Sequence, residues 1–260
     1  MPILTCPVCG HDLASSGNSF VCAQGHLFDL SKEGYLNLLL SSQHRSRHPG
    51  DAPESARARR SFLSGGYYAP LRIFVADRLR GKIVLDACCG EGYYTSAAAE
   101  RGFETYGFDI AKDMVRMAAK ADKRSFYFVA GLHTVPVRTA SVDTLTHLFA
   151  PFADESFARI LRPGGTLMTV IPGERHLWEL KAALYDAPYP NRETPPACSL
   201  TFVRSERLRY TFELTDTQSI LDLYRMTPYA YKTARTGEAK LSALGSLRVT
   251  ADFLVLTYQR

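Results

Sequence analysis

"KIVLDACCGEGYYTSAAAE", residues 82–100, decides the fold. A β-branched, apolar run ends at Asp86, glycines follow at 90 and 92, and an alanine-rich stretch begins at Tyr93. A buried strand, a tight turn and a helix in that order open a βαβ crossover. The rhythm continues downstream. "ETYGFD" reads as a second strand, "AKDMVRMAAKA" as a helix, and "SFYFVAG" and "VDTLTHLF" as further strands. "ESFARIL" then reads as a helix and "GTLMTVI" as a strand. This alternation predicts an α/β fold, a doubly wound parallel sheet with helices on both faces. Ligands of such sheets bind at the carboxyl ends of the strands, beside the switch point.

The turn itself narrows the ligand. Gly90 and Gly92 let backbone pass close to a bound group, and the helix starting at Tyr93 turns its free amides toward it. The third glycine of G-x-G-x-x-G is missing, which argues against a dinucleotide pyrophosphate. The spacing from Asp86 is closer to the D-x-G-x-G of class I (Rossmann-like) S-adenosylmethionine-dependent methyltransferases. Asp109 ends the second strand, where a carboxylate can accept both ribose hydroxyls. In "AGLHTVPV", the Leu132 amide can read an adenine, and "LRPGG" is a loop typical before the fifth strand of such enzymes. Taken singly, the glycines could form a plain turn and Asp109 a solvated strand end.

A second signal lies near the start. "CPVCG" at 6–10 and "VCAQGH" at 21–26 give Cys6, Cys9, Cys22 and His26 in the spacing Cys-x2-Cys-x12-Cys-x3-His. Three thiolates and an imidazole close a tetrahedron around Zn2+ and leave no open position for chemistry, so the site is structural. Gly10 and Gly25 suit the tight turns that aim each ligand pair. A module of this size buries too little apolar surface to fold alone, and metal binding supplies the deficit. Loss of the metal is therefore expected to unfold it while leaving the larger domain folded. The opening MPILTC has no secretory character, and clustered cysteines of a cytoplasmic chain more often hold metal than form disulfides. Cys88, Cys89 and Cys198 have no ligand spacing.

Composition excludes little else. No apolar run of about 18 residues is present, which excludes a membrane-spanning helix. The net charge of +5 is concentrated in "QHRSRHPGDAPESARARRSF", with Arg45, Arg47, Arg57, Arg59 and Arg60, and in "RSERLRY" at 204–210. Such clusters suit a polyanion, although a solvated linker would carry them too. The expected organisation is a zinc module over 1–40, a basic linker over 41–65 and a catalytic domain over 66–260.

Across these motifs the whole chain resembles the RlmA-type 23S ribosomal RNA (guanine-N1-)-methyltransferases. The residues that carry the resemblance are the Cys6/Cys9/Cys22/His26 module, "HLFDLSKEGYLNLL", "RSRHPGD", "ARRSFLSGGYYAPL", "GEGYYT", "FAPF", "RPGG" and "PGERHLWELK", in unbroken order to about residue 184, with "MTPYAYK" in the tail. The resemblance implies methyl transfer from S-adenosylmethionine to guanine N1 in a 23S rRNA hairpin. It implies cofactor contacts from Tyr68, Gly90, Glu91, Gly92 and His176, a zinc module that helps grip the RNA, and a homodimer. The chain departs from the pattern at Cys88, which replaces the first motif glycine. Gly131 stands where related enzymes carry an acidic adenine contact, and Glu174 where the family often has proline.

The sulfonium methyl is already activated, so the protein mainly positions the acceptor nitrogen. Guanine N1 must also lose a proton. Asp154 is a weak candidate base whose position better suits a helix N-cap leading into "ESFARIL", and the Phe149–Phe152 run could stack the base or fill core. Two other readings are a small-molecule methyltransferase carrying a zinc ribbon, against which the basic segments argue, and a non-catalytic RNA-binding module, which only Cys88 supports.

Overall fold

The computed structural model describes residues 3–41, 52–233 and 236–260. Arg45, Arg47 and the flanking His44 and His48 lie outside the described residues. The chain opens with a three-stranded antiparallel ribbon, β1 (Leu13–Ser16), β2 (Ser19–Cys22) and β3 (Leu27–Asp29). Next come β4 (Tyr35–Asn37) and two helices, α1 (Pro53–Ser64) and α2 (Ala69–Ala76). The crossover units follow: β5 (Ile83–Ala87), α3 (Tyr93–Glu100), β6 (Glu104–Asp109), α4 (Lys112–Ala121), β7 (Phe126–Val129), a 3-10 turn at Leu132–Thr134, β8 (Val142–Leu148), α5 (Asp154–Ile160) and β9 (Leu161–Pro172). The C-terminal part holds α6 (Trp178–Leu184), β10 (Thr201–Leu214), α7 (Thr217–Arg225), α8 (Tyr229–Lys232), α9 (Gly237–Ser242) and β11 (Leu247–Gln259).

Eight strands form one sheet in the order β10-β11-β9-β8-β5-β6-β7-β4. The six from β9 to β4 run parallel, β11 pairs antiparallel with β9, and β10 pairs antiparallel with β11. Chain order reverses at β5, which lies between β6 and β8, so the crevice opens above Asp86. The expected parallel sheet is present. "LRPGG", expected as a loop, sits inside β9 as a bulge between the pairings Val142–Leu161 and Thr144–Thr166. Gly164, at φ 77°, makes that detour possible.

The domain boundaries need correction. β4 lies within the span expected for the zinc module, yet it is the edge strand of the large sheet, pairing Tyr35–Asn37 with Tyr127–Val129. The span 41–65 is not merely a linker. Pro53–Ser64 is a helix whose Phe62 and Leu63 are buried in the same cluster as Ile220 and Leu223 of α7. Apolar spacing along "ARRSFL" is what commits it to packing.

Nor is the ribbon a separate body. Cys6, Leu13, Phe20 and Cys22 belong to one buried cluster with Leu85, Phe108 and Val137 of the large domain. Phe20 meets Phe126 edge-on at 5.5 Å. Thr5 N–H donates to the Pro136 carbonyl at 2.9 Å, Arg138 N–H donates to the Ile3 carbonyl at 2.8 Å, and Leu4 bridges Val137. These contacts fasten the ribbon to the segment just after the 3-10 turn, so the metal supports more than its own module. Chelating the zinc should accelerate amide exchange at residues 135–138 as well as 3–30, while β5 and β8 stay protected. Exchange mass spectrometry reads both regions at once, and acceleration confined to 3–30 would contradict this coupling.

Candidate active site and metal centre

At the metal centre, the ligand atoms of Cys6, Cys9, Cys22 and His26 lie within 4.8 Å of one another. Cys9 and Cys22 sulfurs are 3.5 Å apart, and His26 Nδ1 lies 3.3 Å from Cys22 Sγ and 3.6 Å from Cys6 Sγ. A zinc–sulfur bond of about 2.3 Å fits tetrahedral edges of this order. The turns are as expected: Gly10 N–H donates to Cys6 O at 2.8 Å and Gly25 N–H to Cys22 O at 2.9 Å. Both glycines have positive φ, 76° and 79°, which a side chain would strain.

The second site gathers at the crevice. Asp86, 2% exposed, accepts from Thr95 Oγ1 at 2.6 Å and Thr146 Oγ1 at 2.8 Å. Burial pushes its carboxyl up to about 6, against the two threonine bonds. Asp109 accepts from Gly90 N–H at 3.0 Å through one oxygen and from Ala111 N–H at 2.8 Å through the other. It thereby fixes the glycine loop against the end of β6. Gly92 caps α3 at φ 80°, and a Cβ there would lie 2.6 Å from the Tyr127 hydroxyl, so glycine is obligatory. Gly90 has φ 54° and would meet only a methionine methyl, at 3.8 Å, which leaves its outer face open. Cys88 holds the same left-handed conformation, φ 58°, with a side chain. Such a residue costs roughly 1–2 kcal/mol relative to ordinary backbone.

Glu91 Oε2 and the Tyr94 hydroxyl are buried here without a hydrogen-bond partner among the described residues. Burial raises the Glu91 carboxyl to about 6, with Arg60 and Arg59 opposing the shift. Unsatisfied atoms beside an open glycine loop are what a polar ligand would complete. Leu132 heads the 3-10 turn on the β7 side, which Ser156 Oγ pins by donating to His133 O at 2.6 Å.

On the other side, Tyr68 and His176 meet, with Oη and Nε2 3.3 Å apart. Asp252 N–H donates to His176 Nδ1 at 3.3 Å, so the neutral ring carries its proton on Nε2 and donates to Tyr68. Burial, then the Lys181 charge, drives His176 down to about 3, so the ring is neutral at physiological pH.

Sequence reading missed the residues that hold this loop. Asp252, fully buried, accepts from Arg175 N–H at 3.0 Å and from Arg207 Nη1 at 3.1 Å, while its carbonyl takes Gly173 N–H at 2.7 Å. A Cβ on Gly173 would lie 2.6 Å from the Asp252 carboxyl carbon. Alternation along "LRVTADFLVLTYQ" marks the strand, but nothing local marks Asp252 as a clamp.

Comparisons with known proteins agree with this geometry. The profile described as "RlmA, N-terminal" matches residues 4–47, and one described as "Methyltransferase domain" matches residues 84–165. A Bacillus subtilis protein, YxjB, provisionally named as a 23S rRNA (guanine-N(1)-)-methyltransferase, is 32% identical over 96% of this chain and 95% of its own. The 23S rRNA (guanine(748)-N(1))-methyltransferase of Streptomyces fradiae is 35% identical over 70% of this chain and 67% of its own. The chain belongs to the RlmA-type 23S rRNA (guanine-N1-)-methyltransferase family. A solved structure described as a type II methyltransferase, from Anaeromyxobacter dehalogenans, superposes with a TM-score of 0.55 at 20% identity. It covers 74% of this chain and 96% of that one, and shows the fold alone.

The family's cofactors are S-adenosylmethionine and a structural zinc, and the residues fit both. Asp154, the weak candidate for a base, is otherwise engaged: its oxygens accept Ser199 N–H at 2.9 and 3.1 Å and the Ser199 hydroxyl at 3.1 Å. It does not cap its own helix; it fastens the strand entry of β10. The Phe149–Phe152 run divides. Phe152 packs edge-on against His147 and Phe157, at 5.6 and 5.1 Å, whereas Phe149 is exposed at φ 57°. "RSERLRY" lies on β10, where Arg204 pairs with Glu206, and Arg207 with Asp252 and Glu193, leaving Arg209 exposed.

Asp109→Ala should weaken S-adenosylmethionine binding by roughly 1.5–3 kcal/mol, the range for hydrogen bonds to a charged group. Calorimetry decides, and an unchanged affinity would remove Asp109 from the ribose. Cys88→Gly should bind the cofactor at least as well as wild type, with a melting temperature equal or higher, because glycine relieves the left-handed turn.

Proposed function

We propose that this chain methylates N1 of a guanine in 23S rRNA, with S-adenosylmethionine as the methyl donor. The observation that carries the reading is the joining of a closed Cys3His ribbon to a glycine-loop crevice in one buried core, in a chain of the RlmA family. When bound, S-adenosylmethionine supplies a methyl on a positively charged sulfur.

The chain's residues divide the remaining tasks. Asp109 would hold the ribose hydroxyls and the Leu132 turn the adenine. Glu91 Oε2 would take the ammonium of the methionine end, and the Tyr94 hydroxyl is a further donor nearby. Phe149, exposed beyond the end of β8, offers an aromatic face to an extruded guanine. Tyr68 and His176 close the opposite wall, with His176 neutral and its proton directed at the phenol. The target is a hairpin of 23S rRNA, bound by a homodimer in the cytoplasm. Among the described residues no helix is long and apolar enough to cross a membrane. Arg57 and Arg60, exposed on α1, are placed to meet phosphates without reading sequence.

Purified protein with tritiated cofactor should label 23S rRNA and should create one new reverse-transcription stop at a guanine, since an N1 methyl blocks Watson–Crick pairing. Label in small acceptors and none in rRNA would overturn the reading.

The raised Glu91 carboxyl gives a pH signature. Above about pH 6 Glu91 is ionised and can pair with the ammonium; below it the proton must be displaced, so cofactor affinity should fall by up to about tenfold per pH unit. Calorimetry from pH 5 to 8 should show this limb, and Glu91→Gln should bind more weakly at pH 8 and lack it. A limb that survives Glu91→Gln would move the titration to Asp86.

A further inference from the structure

Phe149, Tyr189 and Tyr231, large aromatic side chains of the C-terminal half, stand in water: they are 46%, 55% and 67% exposed. They are linked through the interior. The Phe149 ring lies 5.6 Å from Phe253, and Phe253 lies 4.6 Å from the His176 ring. The His176 carbonyl accepts from Asn191 Nδ2 at 3.1 Å, and Asn191 Oδ1 accepts from Lys181 Nζ at 2.6 Å. Lys181 Nζ then sits 4.8 Å from the Tyr189 ring centre. Tyr185 continues the series, 6.4 Å from Tyr189 and 6.2 Å from Tyr229 on α8, the helix that carries Tyr231.

Lys181 is the unusual member. It is 2% exposed, and removing an ammonium from water is costly unless its donors are satisfied. Its contacts are the Tyr189 carbonyl at 3.0 Å, Asn191, and the faces of Tyr189 and Tyr229 at 4.8 and 5.7 Å. The effect is to hold a half-exposed tyrosine ring rigid from the protein side and to tie it to the loop that presents His176. Arg192, three residues beyond Tyr189, and Lys232, beside Tyr231, are exposed. Aromatic faces for bases and cations for phosphates are the combination that unpaired RNA requires. A protein partner would be better matched by continuous apolar surface than by tyrosines with polar tips beside exposed positive charges.

We propose that Tyr189 and Tyr231 form a stacking platform for unpaired nucleotides flanking the target guanine. This rests on the rRNA reading above. The platform supplies affinity and register for single-stranded hairpin residues, while Phe149 meets the target itself.

The test uses full-length holoprotein and the shortest 23S rRNA fragment that the wild type methylates. Tyr189→Ala and Tyr231→Ala should each weaken fragment binding by about tenfold, as loss of one base–aromatic stack does. Tyr189→Phe should stay within about twofold of wild type. The alanine variants should raise KM for RNA with kcat little changed and leave cofactor affinity and oligomeric state as in the wild type. Unchanged fragment affinity in folded alanine variants overturns the platform while leaving the rRNA reading intact. A shift in oligomeric state by light scattering overturns it in favour of a contact between two copies of this chain. A wild type that methylates no rRNA fragment overturns both.

Discussion

The structure depends on a carboxyl group placed where water cannot reach it. Asp86, the penultimate residue of β5 at the switch point, joins three elements, accepting from Thr95 on α3 and Thr146 on β8. Neither hydroxyl fully offsets the loss of water, and the carboxyl stays up at about 6. That arrangement fixes how far β5 and β8 stand apart at their carboxyl ends and where α3 begins. Asp109 then ties the glycine loop back to β6. Between them, the two aspartates set the geometry into which a cofactor must fit.

Much of this was legible in the sequence because it is local. Gly92 sits in the left-handed turn that opens α3, and the Cys6–His26 spacing follows from the tetrahedron it must fill. What stayed hidden joins residues far apart in the chain. The Asp252 clamp on the 173–176 loop, the Lys181–Asn191 support beneath Tyr189 and the Ile3–Thr5 contacts with Pro136–Arg138 have no signature at any single position. The β10–β11 pair was within reach, since both strands alternate, yet its basic residues drew attention as charge and not as strand. Asp154 shows another long-range link: its carboxylate accepts from Ser199, 45 residues away, which no local pattern announces.

The two ends of the sheet are protected differently. β10 is a long edge strand with mostly exposed side chains, and Arg204, Glu206, Arg207 and Arg209 put charge along it, which discourages pairing with another chain. At the other end, the short β4 covers β7. The catalytic sheet thus has its outermost parallel strand supplied by the segment that leaves the metal ribbon.

That last feature sets the order of events during synthesis. The four metal ligands are complete once His26 has emerged, so the ribbon can take up its ion almost at once. β4 follows directly, but its pairing partner β7 lies about 90 residues further along the chain, and closing so long a loop carries an entropic cost. Until then the strand has only its Leu36 bridge to Leu30, and the Cys6–Val137 core has only one of its halves. The ion therefore keeps the first segment compact through the interval when the nascent chain offers it nothing else to pack against.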